Sequence, residues 1–246
     1  MTQTTESITK TNKSYYNDLW GGQSLRAPTR FNTWPILSPL AKASPRRLEI
    51  GPGMWPRLPI KGTKFIDLSQ VAVEKLNGQG GKATLGTINA LPFPDAYFEL
   101  LCVLDVVEHV ADDQQAFREL SRVMKDNGIL FLSVPLHEKN WTEFDVVVGH
   151  FRRFNPEKLL KRLADNSFTL EKSAKHGSKP RNKRLVNFGF WFLKHLRRPS
   201  LFIHNRLVFP LSLYFQRKLD FKDGLLENED IEEILLICRR VPRKGD

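Results

Sequence analysis

Two acids and two glycines share one short stretch, LEIGPGMWPRLPIKGTKFIDLS, from Leu48 to Ser69. Glu49 and Asp67 each close an apolar run, and Gly51 and Gly53 flank Pro52 between them. Glycines let a backbone approach a ligand that any Cβ would strike, and a carboxylate offers two acceptor oxygens, which suits a vicinal diol. The pattern reads as a nucleotide-cofactor loop between two strands or as a tight turn between ordinary strands. A dinucleotide fingerprint would carry a third glycine where this chain has Pro56. A second group of reactive side chains follows: Asp105, Glu108 and His109 after an apolar run, then His150, Arg152 and Arg153 in VGHFRRF. Histidine can accept a proton near neutral pH, and paired arginines can clamp a carboxylate or phosphate.

The elements that must carry these groups alternate. RRLEI, TKFIDLS, the run near Ala83 to Thr87, the unalternating apolar run Phe98 to Leu104 and ILFLSVP read as strands. Helical segments lie between them: VAVEKLN, DDQQAFRELSRVM with Phe117, Leu120 and Val123 at helical spacing, and NPEKLLKRLADNS opened by Asn155 and Pro156. FTLEKSAKH and EEILLICRRV are the last two strands. Alternation of this kind predicts an α/β fold, a Rossmann-like, doubly wound, mostly parallel seven-stranded sheet with a helical insertion before the last strand. Pro56 and Pro59 leave room for one helical turn at most between the first two strands, so that loop is expected to stay nearly extended and to present Met54 or Trp55 to the cleft.

LPF before the buried strand, EHV after it, Glu49 before the glycines and Asp67 after the second strand together resemble the class I S-adenosylmethionine-dependent methyltransferases. The resemblance covers about Arg47 to Arg153, and VGHFRRF is similar to a GH-x-RR-aromatic element of one bacterial branch. It implies that Glu49, Gly51, Pro52 and Gly53 lie under the methionine part of S-adenosylmethionine and that Asp67 accepts from both ribose hydroxyls. Glu49, Asp67 and Asp105, at predicted strand ends, allow an environment that tolerates the sulfonium cation, with Asp105 a further candidate cofactor ligand. Two positions depart from the family pattern. Trp55 replaces a third glycine, and Thr87 replaces the acid that contacts adenine, which shifts adenine recognition to Thr87, Asn89 or backbone carbonyls. The resemblance places His109 near the transferred methyl. His109 and His150 are the candidate bases for a protonated acceptor, and Arg152 and Arg153 are candidate substrate ligands. The alternative for the loop is structural: His150 and one arginine tied to Asp145 or Glu143.

Composition narrows the partners. The 246 residues carry a net charge of +11, and Lys175 to Lys222 holds twelve Lys and Arg against one acid, Asp220, so the remainder sums to neutral. That segment interleaves its charge with FGFWFL and LVFPLSLYF and reads as two or three helices broken near Pro199 and Pro210. It serves as a lid, as a contact to an anionic membrane surface that would suit a small or lipid-like acceptor, or as a nucleic-acid surface, with lipid favoured over RNA because the bulky residues come in runs. The expected organisation is a disordered stretch over 1–20, a Rossmann-like domain from 21–176 and 228–246, and a basic aromatic insertion over 177–227. The two cysteines, each inside an apolar run, and the polar start predict a reducing, cytoplasmic address, peripheral to a membrane if the segment binds lipid. The six histidines show no zinc-type spacing. The reading is a methyltransferase for a small or lipid-like acceptor; the alternatives are an RNA methyltransferase and a non-catalytic binding protein of the same fold.

Overall fold

A computed structural model describes residues 8, 15–16, 18–20, 23–177, 189, 191–192, 195–226 and 230–242. Among the described residues eight strands form one sheet in the order β3-β2-β1-β4-β5-β8-β6-β7. They are β1 (Arg47–Ile50), β2 (Thr63–Asp67), β3 (Lys82–Leu85), β4 (Phe98–Leu104), β5 (Met124–Pro135), β6 (Phe168–His176), β7 (Lys222–Asp223) and β8 (Glu233–Arg240). β1 to β5 run parallel, and β8 inserts antiparallel between β5 and β6. The sequence predicts seven strands; the eighth is the two-residue β7, which pairs with Lys172 and Ser173 at the edge. The order reverses at β1 and β4, the switch point beyond whose strand ends open α/β sheets bind ligands.

Both faces of the sheet are covered. Helices α2 (Gln70–Gly78), α3 (Asp113–Val123) and α5 (Pro156–Asp165) start on side-chain caps from Ser69, Asp112 and Asn155, which accept the N–H of Ala72, Gln115 and Lys158. A cap of this kind stabilises a helix by about 1 kcal/mol. Phe117, Leu120, Leu159 and Leu163 bury with Leu48 and Ile50 on one face. On the other, Leu37 and Ala41 of α1 (Trp34–Ala43) pack on Leu100 and Phe131. α1 is absent from the sequence reading because Pro39 sits inside it and argues against a helix. Cys102 and Cys238 are both reduced and buried.

Residues 51–62 contain no helix. Pro59 removes the N–H that a second turn needs, and the segment stays open as its prolines require. The insertion departs from expectation. α6 (Arg197–Ile203), a π-helical turn (His204–Val208) and α7 (Phe209–Ser212) run on without a break. Pro199 lies in the first turn, where no intrahelical N–H is required, and the wider π turn accommodates Pro210 by relieving the contact between its ring and the carbonyl four residues back. The residues over 178–188, which carry much of the basic cluster, lie outside the described residues. No helix among the described residues is long and apolar enough to cross a membrane.

Candidate active site

The glycine turn lies at the C-terminal ends of β1 and β2. Gly51 and Gly53 have φ of 67° and 52°, the left-handed region where a side chain is strained. Gly51 N–H donates to the Ile66 carbonyl at 2.7 Å, fixing the turn to β2. A Cβ at Gly51 would lie 2.6 Å from Val106, and one at Gly53 would lie 2.3 Å from the Trp20 ring. Pro52 between them is buried. Asp67 accepts the N–H of Gly53 on one oxygen and that of Ser69 on the other, both at 2.8 Å. Burial pushes its carboxyl up to about 6.

Glu49 takes on a structural task. Its two oxygens accept the N–H groups of Arg57 and Leu58 at 2.8 and 2.9 Å, and it is 3% exposed. Those are donors that a crossover helix would have satisfied internally, so the carboxylate replaces the missing helix. Burial pushes it up to about 7. Its hydrogen bonds in this structure are with the loop. Met54 is fully buried, while Trp55 stacks on Phe209 at 3.9 Å and meets Trp20 edge-on at 4.9 Å.

Tyr15, Tyr16, Leu19 and Trp20 fall in the stretch expected to be disordered, yet Tyr15, Leu19 and Trp20 are buried with Met54, Val148 and Leu201. The apolar aromatic area they remove from water outweighs the polar character of the surrounding leader. Residues 1–7 and 9–14 lie outside the described residues. Leu201, Asn205 and Phe209 bring the insertion onto this cluster, and Asn205 donates to the Leu19 carbonyl at 2.8 Å.

Past β4 the reactive groups gather in two sets. Asp105, with φ of 54°, accepts from the Ser133 hydroxyl at 2.6 Å and faces Glu233 and His176 from the ends of β8 and β6. Burial raises Glu233, which keeps the proton and donates it to Asp105. Burial opposes charge on Asp105 as well, but His176 and the hydrogen bonds from Glu233 and Ser133 hold it below the usual carboxylate range. The second set is Glu108, His109, His150 and Asp145. His109 and His150 lie 4.5 Å apart between ring centroids. His150 donates through Nδ1 to Asp145 at 2.8 Å, and His109 through Nδ1 to the Gly149 carbonyl at 3.2 Å. Burial, reinforced by His150, pushes His109 down to about 3, so it is neutral and its Nε2 accepts from the Tyr16 hydroxyl at 3.1 Å.

Arg152 and Arg153, expected as substrate ligands, both hold the loop in this structure. Arg153 is 4% exposed and forks onto Asp145 at 2.9 and 3.1 Å, while Arg152 pairs with Asp113 and the Ala111 carbonyl. Asp145 also caps α4 (Glu143–Val148) by accepting from Thr142. The sequence alternative that tied His150 and one arginine to Asp145 describes this loop. Sequence reading missed Tyr16, Trp20, His176 and Glu233. The density of aromatics in a polar leader could have flagged the first two; nothing local marks the others.

Residues 58–132 match a family described as a methyltransferase domain. Over that stretch the chain is similar to a methyltransferase domain. A Mycobacterium tuberculosis protein named "Probable S-adenosylmethionine-dependent methyltransferase" is 27% identical over 107 residues, covering 42% of this chain and 39% of that protein. An uncharacterized methyltransferase of Bacillus subtilis, YcgJ, is 34% identical over 88 residues, 36% of this chain and 31% of its own. The chain therefore spans under two-fifths of the length of these relatives. Among solved structures, a Thermotoga maritima methyltransferase superposes with a TM-score of 0.54 at 18% identity, covering 85% of this chain and 90% of that one. The [4+2]-cyclase SpnF superposes with 0.57 at 17% identity over 98% and 97%. These likenesses show the fold, and they include a cyclase as well as a methyltransferase.

The residues of the matched stretch fit S-adenosylmethionine. Each Asp67 oxygen accepts one backbone N–H and retains a lone pair for a ribose hydroxyl. Thr87 is exposed, whereas Asn89 donates to the Asp112 carbonyl and its Oδ1 is buried with no partner among the described residues, an acceptor suited to an adenine amino group. Asp105 shares a hydrogen bond with Glu233. A pH dependence follows. Ribose hydroxyls donate best to the carboxylate, so cofactor affinity is expected to rise with pH through about 6 as Asp67 loses its proton. Calorimetry across this range should show the slope in the parent chain and a flattened slope in Asp67→Asn.

Proposed function

We propose that the protein transfers a methyl group from S-adenosylmethionine to the hydroxyl of a small amphiphilic molecule at an anionic membrane surface. Bound at the glycine turn, the cofactor supplies an electrophilic methyl on a sulfonium centre. The chain's part is to hold the acceptor in line with that methyl, to exclude water and to receive the hydroxyl proton. Asp145 holds the Nδ1 proton of His150, which leaves its Nε2 lone pair as the acceptor. The aromatic cluster of Tyr16, Trp20, Trp55 and Phe209 packs beside the glycine turn and would exclude water from the reacting groups.

The observation that carries the acceptor class is the two-faced lid. One side, Leu201, Asn205 and Phe209, packs on Leu19, Trp20 and Trp55. The other leaves Phe202, Leu207, Leu211, Tyr214 and Phe215 between 59% and 76% exposed, with Arg206, Arg217 and Lys218 beside them. A row of large apolar side chains with cations among them suits the headgroup region of an anionic bilayer, where each cation near the surface contributes about 1 kcal/mol. The test is flotation with vesicles of phosphatidylcholine alone or mixed with phosphatidylglycerol. The parent chain is expected to float with the anionic vesicles and the triple variant Phe202→Ser/Leu207→Ser/Phe215→Ser to stay at the bottom. Equal behaviour of the two chains, or preference for RNA in a salt-matched competition, would overturn the membrane reading.

A further inference from the structure

Glu108, His109 and His150 lie on two loops that are distant in sequence, yet each offers a ligating atom and the three atoms are all within 4.8 Å of one another. Their chemistry is that of a His2Glu centre, in which two imidazoles and a carboxylate hold a borderline-soft divalent ion and leave a position open. The supporting contacts are those such a centre requires. His150 gives its Nδ1 proton to the Asp145 carboxylate and His109 gives its own to the Gly149 carbonyl. Both rings are thereby fixed in the tautomer whose Nε2 carries the lone pair, as carboxylates and carbonyls do behind metal-bound histidines.

A second observation points to a ligand. Glu108 is 1% exposed, and its Oε2 makes no hydrogen bond among the described residues. A buried carboxylate oxygen without a donor is rare, and a bound ion is one of the few arrangements that satisfy it. The surrounding charge is suited to a cation. Burial raises Glu108 well above the usual carboxylate range, Asp105 just past β4 and Asp145 of α4 add to this, and Arg153 opposes them, but that guanidinium is held in a fork on Asp145. We propose that Glu108, His109 and His150 bind one divalent transition-metal ion of the zinc class, with its open position toward the methyl acceptor. The histidine spacing in the sequence gives no sign of the site because the fold, and no local motif, joins the two loops.

Metal binding itself stands apart from methyl transfer; its catalytic consequence rests on the reading above. With the ion in place the imidazole lone pairs are taken up, so His150 would serve as a metal ligand in place of the base assigned above. Binding would also take the His109 lone pair that now accepts from Tyr16, whose ring stacks on Trp20 at 5.8 Å. Occupancy is therefore readable without an activity assay.

The experiment uses the untagged full chain, stripped with chelator and titrated with Co2+ and then Zn2+. One equivalent of Co2+ is expected to give the visible absorption of a low-coordinate cobalt site, to be displaced by Zn2+, and to change tryptophan fluorescence. Glu108→Gln, close in shape and without the charge, is expected to weaken binding by about 100-fold while keeping the parent's circular dichroism and melting curve. Glu233→Gln, in the neighbouring cluster, is expected to leave affinity unchanged. Absence of a stoichiometric cobalt spectrum in the parent chain, or equal affinity in Glu108→Gln, overturns the site. Cofactor binding measured on the same stripped protein separates that failure from failure of the methyltransferase reading.

Discussion

Asp145→Ala is expected to destabilise the protein by about 3–5 kcal/mol, the range seen when one partner of a buried ion pair is removed. Arg153 is 4% exposed and its two hydrogen bonds to a side chain both go to Asp145, so the variant leaves a guanidinium buried without its counter-charge. The same carboxylate caps α4 through Thr142 and orients His150, so the loss reaches the site as well as the fold. Burial alone would raise Asp145, but the bonds from His150, Arg153 and Thr142 hold it far below the usual carboxylate range. A folded pKa below the unfolded one means stability present at neutral pH and lost as pH falls below the unfolded value near 4. Urea unfolding should show the deficit. The double variant Asp145→Ala/Arg153→Met should recover a large part of it, because an apolar replacement of a whole buried pair is close to neutral. A single-variant loss of under about 1 kcal/mol would mean that the pair does not hold the loop.

Asp67→Ala is expected to weaken cofactor binding by about 100-fold or more, since two hydrogen bonds to a charged acceptor disappear together. Part of the effect acts through the turn. Asp67 accepts the Gly53 and Ser69 N–H groups at 2.8 Å, and leaving buried donors unpaired costs about 1–3 kcal/mol each. Asp67→Asn separates the two contributions, because the amide oxygen still accepts one donor while the charge is gone. Its affinity should fall between those of the parent and the alanine variant. Equal affinity in all three chains would remove Asp67 from the ribose site.

The fold was legible where one residue type decides one local outcome. The unbroken apolar run of β4 announced a strand buried on both faces, Asn155 with Pro156 announced the start of α5, and Pro56 with Pro59 announced a loop in place of a helix. The Asp67 position followed from an acid at a strand end beside a glycine turn. What stayed hidden depends on partners far along the chain. Glu49 looked like a cofactor ligand because nothing local shows that prolines at 56 and 59 would leave the Arg57 and Leu58 N–H groups in need of an acceptor. Asp105 finds Glu233 only once β8 has inserted beside β5. Arg153 looked like a surface clamp until its burial against Asp145 was visible. Pro199 and Pro210 misled in the other direction, since a first-turn position and a π turn absorb what a proline removes.

The common premise is that the turn at Gly51 and Gly53, with Asp67 behind it, is a site for S-adenosylmethionine. Calorimetric titration of the parent chain with S-adenosylmethionine and S-adenosylhomocysteine tests it directly. The expected result is saturable binding of both at one site per chain, with Trp20 and Trp55 fluorescence changing over the same ligand range because their rings pack on the turn. No heat and no fluorescence change up to high micromolar ligand would contradict it.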